Sequence, residues 1–326
     1  MIVTLTANPS IDVTLDVPTF AIDEVNRASD KRKDPAGKGI NVSRALTKND
    51  VATVAIFPAD ATHGAWINSK LADIDVRTVT SPITDEIRQN ITIVDNQGHT
   101  TKINEAGPVV SEHERSLLTA EIESVLATKP TWLVMGGSLP RGLDGSYYVE
   151  LAERARAHGV RVAVDTSGSA LRAVAHAGAA DLLKPNHEEL EELAGHSLPT
   201  VGDVTDYARS LLRDEDAAIL VSLGEHGALL ITTTSVVWAN HAPVEADSTV
   251  GAGDSSLAGY LSADLAARAN FLDLRDALTQ KVSTAVAWGA AAVQLPGTTV
   301  PGPQDITFDK VTAQASPNPQ ARIEEL

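Results

Sequence analysis

The chain alternates short apolar runs with longer stretches in which apolar residues recur every three or four positions. The runs at 160–164 and 217–221 are mostly apolar, which is typical of strands buried on both faces of a parallel sheet. The pattern predicts strands at 2–7, 53–58, 131–136, 160–165, 181–184 and 217–222. It predicts helices near 38–48, 61–73, 111–127, 145–158, 167–177, 187–194 and 201–214. This alternation indicates an α/β fold with a mostly parallel central sheet and helices on both of its faces.

Two stretches, about 11–33 and 75–104, depart from this alternation. In the second, residues 90–94 alternate polar and apolar side chains, and a turn at 95–98 leads into another extended run, as in a hairpin with one wet face. We therefore expect a small antiparallel sheet standing off the main one. We also expect a single domain over 1–312 and a frayed polar tail over 313–326.

Composition excludes several classes of protein. The 326 residues carry 43 acidic and 26 basic side chains, a formal net charge of −17, which argues against a nucleic-acid binder and against docking on an anionic membrane. No apolar run is long enough to span a bilayer, and the first residues lack the pattern of a signal peptide. The chain has no cysteine, so it has no disulfide, and a cytoplasmic setting is expected.

Small or hydrogen-bonding residues follow five of the predicted strands, at 8–12, 137–140, 165–167, 184–186 and 222–224. Ligands of open α/β sheets bind beyond the carboxyl ends of the strands. One such turn is usually only a loop, but five at one rim favour a ligand cleft.

The segment 248–256, Ser-Thr-Val-Gly-Ala-Gly-Asp-Ser-Ser, comes directly before a helical pattern. Two glycines at a helix entry leave backbone N–H groups free to bind an anion. Asp254 then lies in the first helical turn, where it is either a favourable first-turn acid or a general base for a hydroxyl that attacks a phosphate. The segment is neither a P-loop nor a dinucleotide fingerprint.

Two further segments allow a structural and a functional interpretation. Residues 36–46 place Lys38 and Asn41 at another glycine-rich helix entry, which on its own would be an ordinary helix start. After residues 184–185, Asn186 and Glu189 are spaced as a capping box, or they lie near a hydrated Mg²⁺. No zinc motif and no serine-hydrolase elbow is found in the sequence.

In this order, these segments resemble the ribokinase-like carbohydrate kinase (PfkB) family, and within it the branch that phosphorylates phosphorylated ketohexoses. The resemblance spans about residues 1–300. The matching segments are Thr-Leu-Thr-Ala-Asn-Pro-Ser-Ile-Asp at 4–12, Gly-Lys-Gly-Ile-Asn-Val at 37–42, Gly-Ser-Leu-Pro-Arg-Gly at 137–142, Val-Asp-Thr-Ser-Gly at 164–168, Leu-Lys-Pro-Asn at 183–186, Val-Ser-Leu-Gly at 221–224 and Thr-Val-Gly-Ala-Gly-Asp at 249–254.

The resemblance implies a ribokinase-like fold with a β lid, ATP and Mg²⁺ as cofactors, and a homodimer formed through the lid. It implies that Asp254 is the general base and that the backbone of Gly251, Ala252 and Gly253 holds the transferring phosphoryl group. The residues implied on the sugar-phosphate side are Asp12, Arg27, Gly37, Lys38, Asn41, Arg88 and Lys102. Those implied on the nucleotide side are Lys184, Asn186, Ser222, Gly224, Gly227 and Thr249, with Glu189 reaching the metal through water.

Two departures from the family pattern concern the substrate side. Ala36 stands where relatives usually have a first glycine, which is tolerable unless that residue needs a positive φ. In the lid, Thr92 stands where many relatives have a lysine, and Lys102 on the returning strand could supply that charge instead.

The expected reaction is ATP-dependent phosphorylation of fructose 1-phosphate at its 6-hydroxyl. Tagatose 6-phosphate and fructose 6-phosphate are alternative substrates, because the same cations could hold a phosphate at either end of the sugar. A non-catalytic sugar-phosphate sensor is a more distant alternative, since such a protein should have lost its base or its anion site.

Overall fold

The computed structural model describes residues 1–326. The strands are β1 (Ile2–Leu5), β2 (Ser10–Val17), β3 (Asp30–Ala36), β4 (Thr53–Ala59), β5 (Arg77–Pro82), β6 (Arg88–Asp95), β7 (Thr100–Asn104), β8 (Trp132–Gly136), β9 (Arg161–Asp165), β10 (Leu182–Leu183), β11 (Ala218–Ser222), β12 (Ala228–Thr232), β13 (Val236–His241) and β14 (Val311–Ala315). The helices are α1 (Lys38–Lys48), α2 (His63–Ala72), α3 (Glu112–Leu126), α4 (Ser146–Ala157), α5 (Gly168–Ala177), α6 (His187–Ala194), α7 (Val201–Leu211), α8 (Ala252–Ala269) and α9 (Leu274–Val293). None of these helices combines the length and the apolar character that crossing a bilayer would require.

A ten-stranded sheet runs through the molecule in the order β14-β13-β12-β11-β10-β9-β8-β1-β4-β5. The strands from β5 to β11 are parallel, and β12, β13 and β14 extend the sheet antiparallel at one edge. The carboxyl ends of the parallel strands therefore share one rim, as the sequence predicts for a ligand cleft.

Alternate residues of the central strands pack on opposite faces of this sheet. Val3 and Leu133 contribute to a core with α3, α4, α5 and α7, whereas Ile2 and Trp132 contribute to a second core with α1, α8 and α9. The mostly parallel sheet covered by helices on both faces confirms the predicted fold class.

The small second sheet has the order β3-β2-β6-β7. It differs from the predicted sheet in two ways. β2 and β6 are parallel rather than antiparallel, and residues 77–82 form β5 at the edge of the main sheet rather than part of the small one. Ile11 and Val13 on one face of β2 pack with Ile67 and Leu71 of α2, which leaves the opposite face, with Asp12, directed away from that core.

The expectation of a frayed tail over 313–326 is wrong. β14 pairs antiparallel with β13, and the backbone N–H groups of Val201 and Gly202 donate to the carbonyls of Ala321 and Pro319. The side chain of Ile323 is buried in the core beside α7. The tail is ordered because its backbone groups and this one apolar side chain find partners, which its polar composition does not reveal.

Candidate active site

The N-terminus of α8 lies at the carboxyl rim of the sheet, where Gly251 precedes the helix with φ 80°. That left-handed conformation is open to glycine and strained for other residues. The first helical hydrogen bond runs from the N–H of Ser255 to the carbonyl of Gly251, so the N–H groups of Ala252, Gly253 and Asp254 have no acceptor within the helix. The turn therefore presents free N–H donors and the positive end of the helix dipole to an anion.

Asp254 is buried in this first turn, and its Oδ2 accepts a hydrogen bond of 2.8 Å from Nδ2 of Asn41 on α1. Burial raises the pKa of the Asp254 carboxyl to about 6, and the negative charge of Asp165 adds to that increase. Lys38 and Lys184 act in the opposite direction without cancelling it. A carboxyl with this pKa is ionised at neutral pH and remains basic enough to accept a proton.

Asp165, at the end of β9, is buried between two lysines. Its Oδ1 lies 2.5 Å from Nζ of Lys38, and its Oδ2 lies 2.9 Å from Nζ of Lys184. Burial opposes ionisation of Asp165, but the two ammonium groups hold its pKa below the usual range. Lys184 also touches the helix entry, because a Cβ on Gly253 would lie 3.2 Å from its Nζ. The two lysines therefore carry positive charge to the anion-binding turn.

A cavity of about 590 Å³ opens on the other side of the same turn. Five of the residues expected on the nucleotide side line it: Asn186, Ser222, Gly224, Gly227 and Thr249. Small side chains of α9, among them Ala285, Gly289 and Ala290, form an apolar wall. A cavity with one apolar wall and one end at a helix N-terminus suits a ligand with a flat apolar part and an anionic part.

Asn186 and Glu189 form a capping box at the start of α6, with Oδ1 of Asn186 accepting from the N–H of Glu189 at 2.7 Å. Oε2 of Glu189 accepts from the N–H of Asn186 at 2.9 Å, so its other oxygen stays free. No cluster of three metal-ligating side chains occurs in the molecule. A single free carboxylate oxygen fits Mg²⁺, which keeps most of its water and binds phosphates directly.

The small sheet supplies a second polar cluster beside β1. Oδ1 of Asp12 accepts hydrogen bonds of 3.0 Å from Ser10 and from Asn90. Arg88 donates to the carbonyls of Asn8 and Glu105. Burial raises the pKa of Asp12, and it lowers the pKa of Arg88.

Buried polar atoms without a hydrogen-bond partner are concentrated around this cluster. Four of the eight such atoms are Oδ1 of Asn8, Nε of Arg88, Oδ1 of Asn90 and Nε of Arg44. Each lone donor or acceptor costs free energy unless water or a ligand satisfies it. This mixture of donors and acceptors is suited to a polyhydroxylated ligand.

Several residues expected on the sugar-phosphate side lie outside the polar cluster formed by Asp12 and Arg88. Arg27 is exposed in the loop between β2 and β3 and makes no hydrogen bond or ion pair. Lys38 pairs with Asp165 rather than joining Arg88. Lys102 is exposed on β7 directly opposite Thr92 of β6, so its ammonium group is on the same face as the position where relatives have a lysine.

The helix entry at α1 accommodates its departure from the family pattern. Gly37 precedes the helix with φ 128°, and a Cβ there would lie 2.4 Å from the Cγ2 atom of Thr6. Ala36 lies in β3 and has no positive φ, so its methyl group causes no strain. Only the second of the two positions requires glycine.

Sequence reasoning assigned no role to four residues that complete these clusters, although two of them lie in the polar segments predicted at the rim. They are Asn8, Arg44, Asn90 and Asp165. Asp165 follows a predicted strand at the predicted rim. The sequence therefore indicates where Asp165 lies but not which residues it contacts. Its contact with Lys38 joins residues far apart in the chain, and no local pattern encodes such a contact.

The chain belongs to the family described as pfkB family carbohydrate kinases, whose model matches residues 3–305, and it is therefore a sugar kinase. It is 34% identical to the 1-phosphofructokinase of Bacillus subtilis (strain 168) over 80% of this chain and 85% of that protein. It is 33% identical to the ATP-dependent 6-phosphofructokinase isozyme 2 of Escherichia coli (strain K12) over 91% of this chain and 94% of that protein. The solved structure of phosphofructokinase-2 from Escherichia coli in complex with substrates and products is similar with a TM-score of 0.82 at 32% identity, covering 93% of this chain and 96% of that one.

These likenesses make the chain a phosphofructokinase-type sugar kinase, and they confirm the ribokinase-like fold expected from its motifs. Kinases of this family use ATP, generally with a divalent metal ion.

Proposed function

We propose that the protein transfers the γ-phosphoryl group of ATP to the 6-hydroxyl of fructose 1-phosphate, giving fructose 1,6-bisphosphate and ADP. The observation that carries this proposal is the position of Asp254, at a free helix N-terminus with the 590 Å³ cavity on one side and Asn41 on the other. A base placed between a nucleotide cavity and a sugar site is what in-line phosphoryl transfer requires.

In this mechanism Asp254 accepts the proton of the attacking hydroxyl, since its pKa of about 6 leaves it ionised at neutral pH. The hydroxyl oxygen attacks the γ-phosphorus, and the bond to the β-phosphate oxygen breaks. The N–H groups at residues 251–253 donate to the equatorial oxygens of the transferring group. Lys38 and Lys184, whose charges both act on Asp254, would add positive charge there.

A bound Mg²⁺ would neutralise charge on the phosphate oxygens, and the free oxygen of Glu189 would hold it through water. The remaining nucleotide contacts in the proposal come from the lining of the cavity. Asn186, Ser222 and Thr249 supply polar groups, and the small side chains of α9 leave room for the base.

On the sugar side, Asp12 and Asn41 would bind hydroxyl groups and Arg88 would bind the phosphate that the substrate already carries. The unpartnered polar atoms of Asn8 and Asn90 support a polyhydroxylated ligand at this position. The small sheet would act as a lid that excludes water, because an open site would transfer the phosphoryl group to water.

Measured kcat/KM values for fructose 1-phosphate, fructose 6-phosphate and tagatose 6-phosphate, with identification of the product, test the choice of substrate. We expect the highest value for fructose 1-phosphate. A clear preference for fructose 6-phosphate would overturn that choice while leaving the kinase chemistry in place, and the 33% identity to a 6-phosphofructokinase makes this the alternative to measure first.

A non-catalytic sensor is the alternative from another class. The chain keeps both the carboxylate and the free N–H groups that a sensor would not need. ATP consumption that depends on the sugar phosphate excludes a sensor, and its absence with every sugar phosphate would favour one.

We further propose that two copies associate through the lid. Ile22 and Val25, in the loop between β2 and β3, are 81% and 76% exposed, and Ile103 of β7 is 52% exposed. Burying such side chains would stabilise a dimer. Sedimentation of an Ile22→Asp/Val25→Asp variant should give a monomer, whereas Phe271→Asp, which alters an even more exposed side chain after α8, should sediment like the parent.

A further inference from the structure

Arg44 has no role in the mechanism above, yet it contacts one of its central residues. Its Nη1 donates to Oδ1 of Asn41 at 3.2 Å and to the carbonyl of Pro35 at 3.3 Å. Nδ2 of the same Asn41 side chain donates to Oδ2 of Asp254 at 2.8 Å. The three side chains form one chain of hydrogen bonds that runs from the guanidinium to the carboxylate.

The direction of this chain follows from the donors available. A guanidinium only donates, so the atom of Asn41 that faces Arg44 must be its oxygen, and its NH₂ group is then turned toward Asp254. The opposite orientation of the amide would bring two nitrogens together at Arg44 and two oxygens together at Asp254. Without Arg44, Asn41 would lose one of the two contacts that select this orientation, and its amide would be held less firmly as a donor to the carboxylate.

Charge also links Arg44 to Asp254, in addition to the hydrogen bonds. Arg44 is attracted by Asp12 of β2, Asp34 of β3 and Asp254 of α8. Asp254 faces Lys38 of α1, Lys184 after β10 and the negative Asp165 at the end of β9. Arg44 therefore adds a fixed positive charge behind a carboxylate whose ionisation burial opposes.

We propose that Arg44 is a positioning residue, which holds the Asn41 amide in the orientation that donates to Asp254 and so keeps this carboxylate ionised in the working pH range. This proposal rests on the proposed function only where it predicts an effect of Arg44 on turnover. The effect on the carboxylate itself can be measured without any reaction.

The experiment compares the parent, Arg44→Met and Arg156→Met. Arg156 is exposed on α4 and has no ion pair, so its variant controls for the loss of one positive charge. In Arg44→Met, the acid limb of the kcat profile should move to higher pH by about one unit, and kcat at pH 6 should fall about fivefold. Carbon NMR of ¹³C-carboxyl aspartate, with the Asp254 signal assigned by its loss in Asp254→Asn, should show the same upward shift.

A folded Arg44→Met that loses activity without either pH shift would mean that Arg44 is merely structural, and the proposal would be overturned. If Arg44→Met does not fold, Arg44→Gln, which is also uncharged, is judged by the same two pH readouts. In the Asn41→Ala background Arg44→Met should add a smaller shift than in the parent, since only the direct effect of its charge remains, and a fully additive shift would contradict transmission through Asn41. Should the parent have no kinase activity, the proposed function fails, and the NMR titration alone still decides the role of Arg44.

Discussion

Two aspartates on α8 are both buried, yet their surroundings are opposite. Asp254, in the first turn at the carboxyl rim, receives one hydrogen bond from a neutral amide, and its pKa is raised to about 6. Asp264, farther along the helix, lies beside the first residues of β8 and β9, at the opposite edge of the sheet. Burial alone would also raise its pKa, but its cationic neighbours lower it to about 2.

The difference lies in the number of donors. Asp264 is surrounded by Nζ of Lys281 at 2.7 Å, Nε of Arg268 at 2.8 Å, Nε1 of Trp132 at 2.9 Å and Nη1 of Arg161 at 3.3 Å. Asp254 has no cation of its own, because Lys38 and Lys184 are paired with Asp165. A buried carboxylate that is saturated with donors stabilises the fold, and one that is left under-satisfied is available to take a proton.

The largest effect that would separate the two aspartates is on stability. Asp264→Asn should lower the free energy of unfolding by about 3–5 kcal/mol, since it removes a buried carboxylate and leaves the partly buried Arg161 and Lys281 without a counter-charge. Chemical denaturation measures this, and kcat of the remaining folded protein should be unchanged. Arg268→Gln, which changes a half-exposed partner, should cost only about 0–1 kcal/mol, and an equal loss in both variants would contradict the comparison.

The pH dependence should also divide into two windows. Turnover requires ionised Asp254, so kcat should fall about tenfold for each pH unit below about 6. Asp264 contributes stability above its unfolded pKa of about 4, and this contribution is lost as pH falls towards its folded pKa of about 2. Kinetic and unfolding titrations on the same preparation test both windows, and the comparison would be wrong if stability from Asp264 vanished near pH 6.

Asp254→Asn should increase stability at pH 8. A folded carboxyl with pKa about 6 holds its proton more tightly than an unfolded one at about 4, so ionised Asp254 costs the fold about 3 kcal/mol above pH 6. The cost fades between pH 6 and pH 4, where the parent and the variant should converge. Thermal unfolding at both ends of this range measures the change. An Asp254→Asn variant that is less stable than the parent at pH 8 would contradict the claim that the ionised carboxylate destabilises the fold.

The smallest expected effect concerns the substrate side and leaves both aspartates alone. Arg88→Ala should raise KM for the sugar phosphate about tenfold, because a charge-assisted hydrogen bond to its phosphate would be lost. Neither pH window should move. Steady-state kinetics with Arg156→Ala as control check this, and an unchanged KM would remove Arg88 from the site.

Local pattern predicts most of the fold but only part of the site. The continuous apolar runs and the helix caps predict six of the seven parallel strands of the main sheet and the first seven helices closely, because burial and capping are local requirements. The pattern did not identify the antiparallel strands β12, β13 and β14 or the helix α9, and it placed the residues of β5 in the small sheet. The parallel pairing of β2 with β6 joins segments far apart in the chain, which no alternation within either segment encodes.

The site shows the same division between local motifs, which the sequence reveals, and contacts between distant segments, which it does not. Gly251 and Asp254 are recognisable because an anion-binding helix entry is a local motif. The Asp165 ion pairs and the Arg44–Asn41–Asp254 chain are not recognisable, since each depends on helices and strands brought together by the sheet. Arg27 shows the converse, because the family resemblance implied a contact with the sugar phosphate, and in the structure its side chain is exposed and makes no hydrogen bond.

The most direct test of the account is the turnover of Asp254→Asn with ATP and fructose 1-phosphate at pH 8. Removal of a general base should lower kcat about 10²- to 10⁴-fold, with a folded protein and a KM close to that of the parent. A folded Asp254→Asn enzyme with near-parental turnover would contradict the account, because the under-satisfied carboxylate would then have no part in the chemistry.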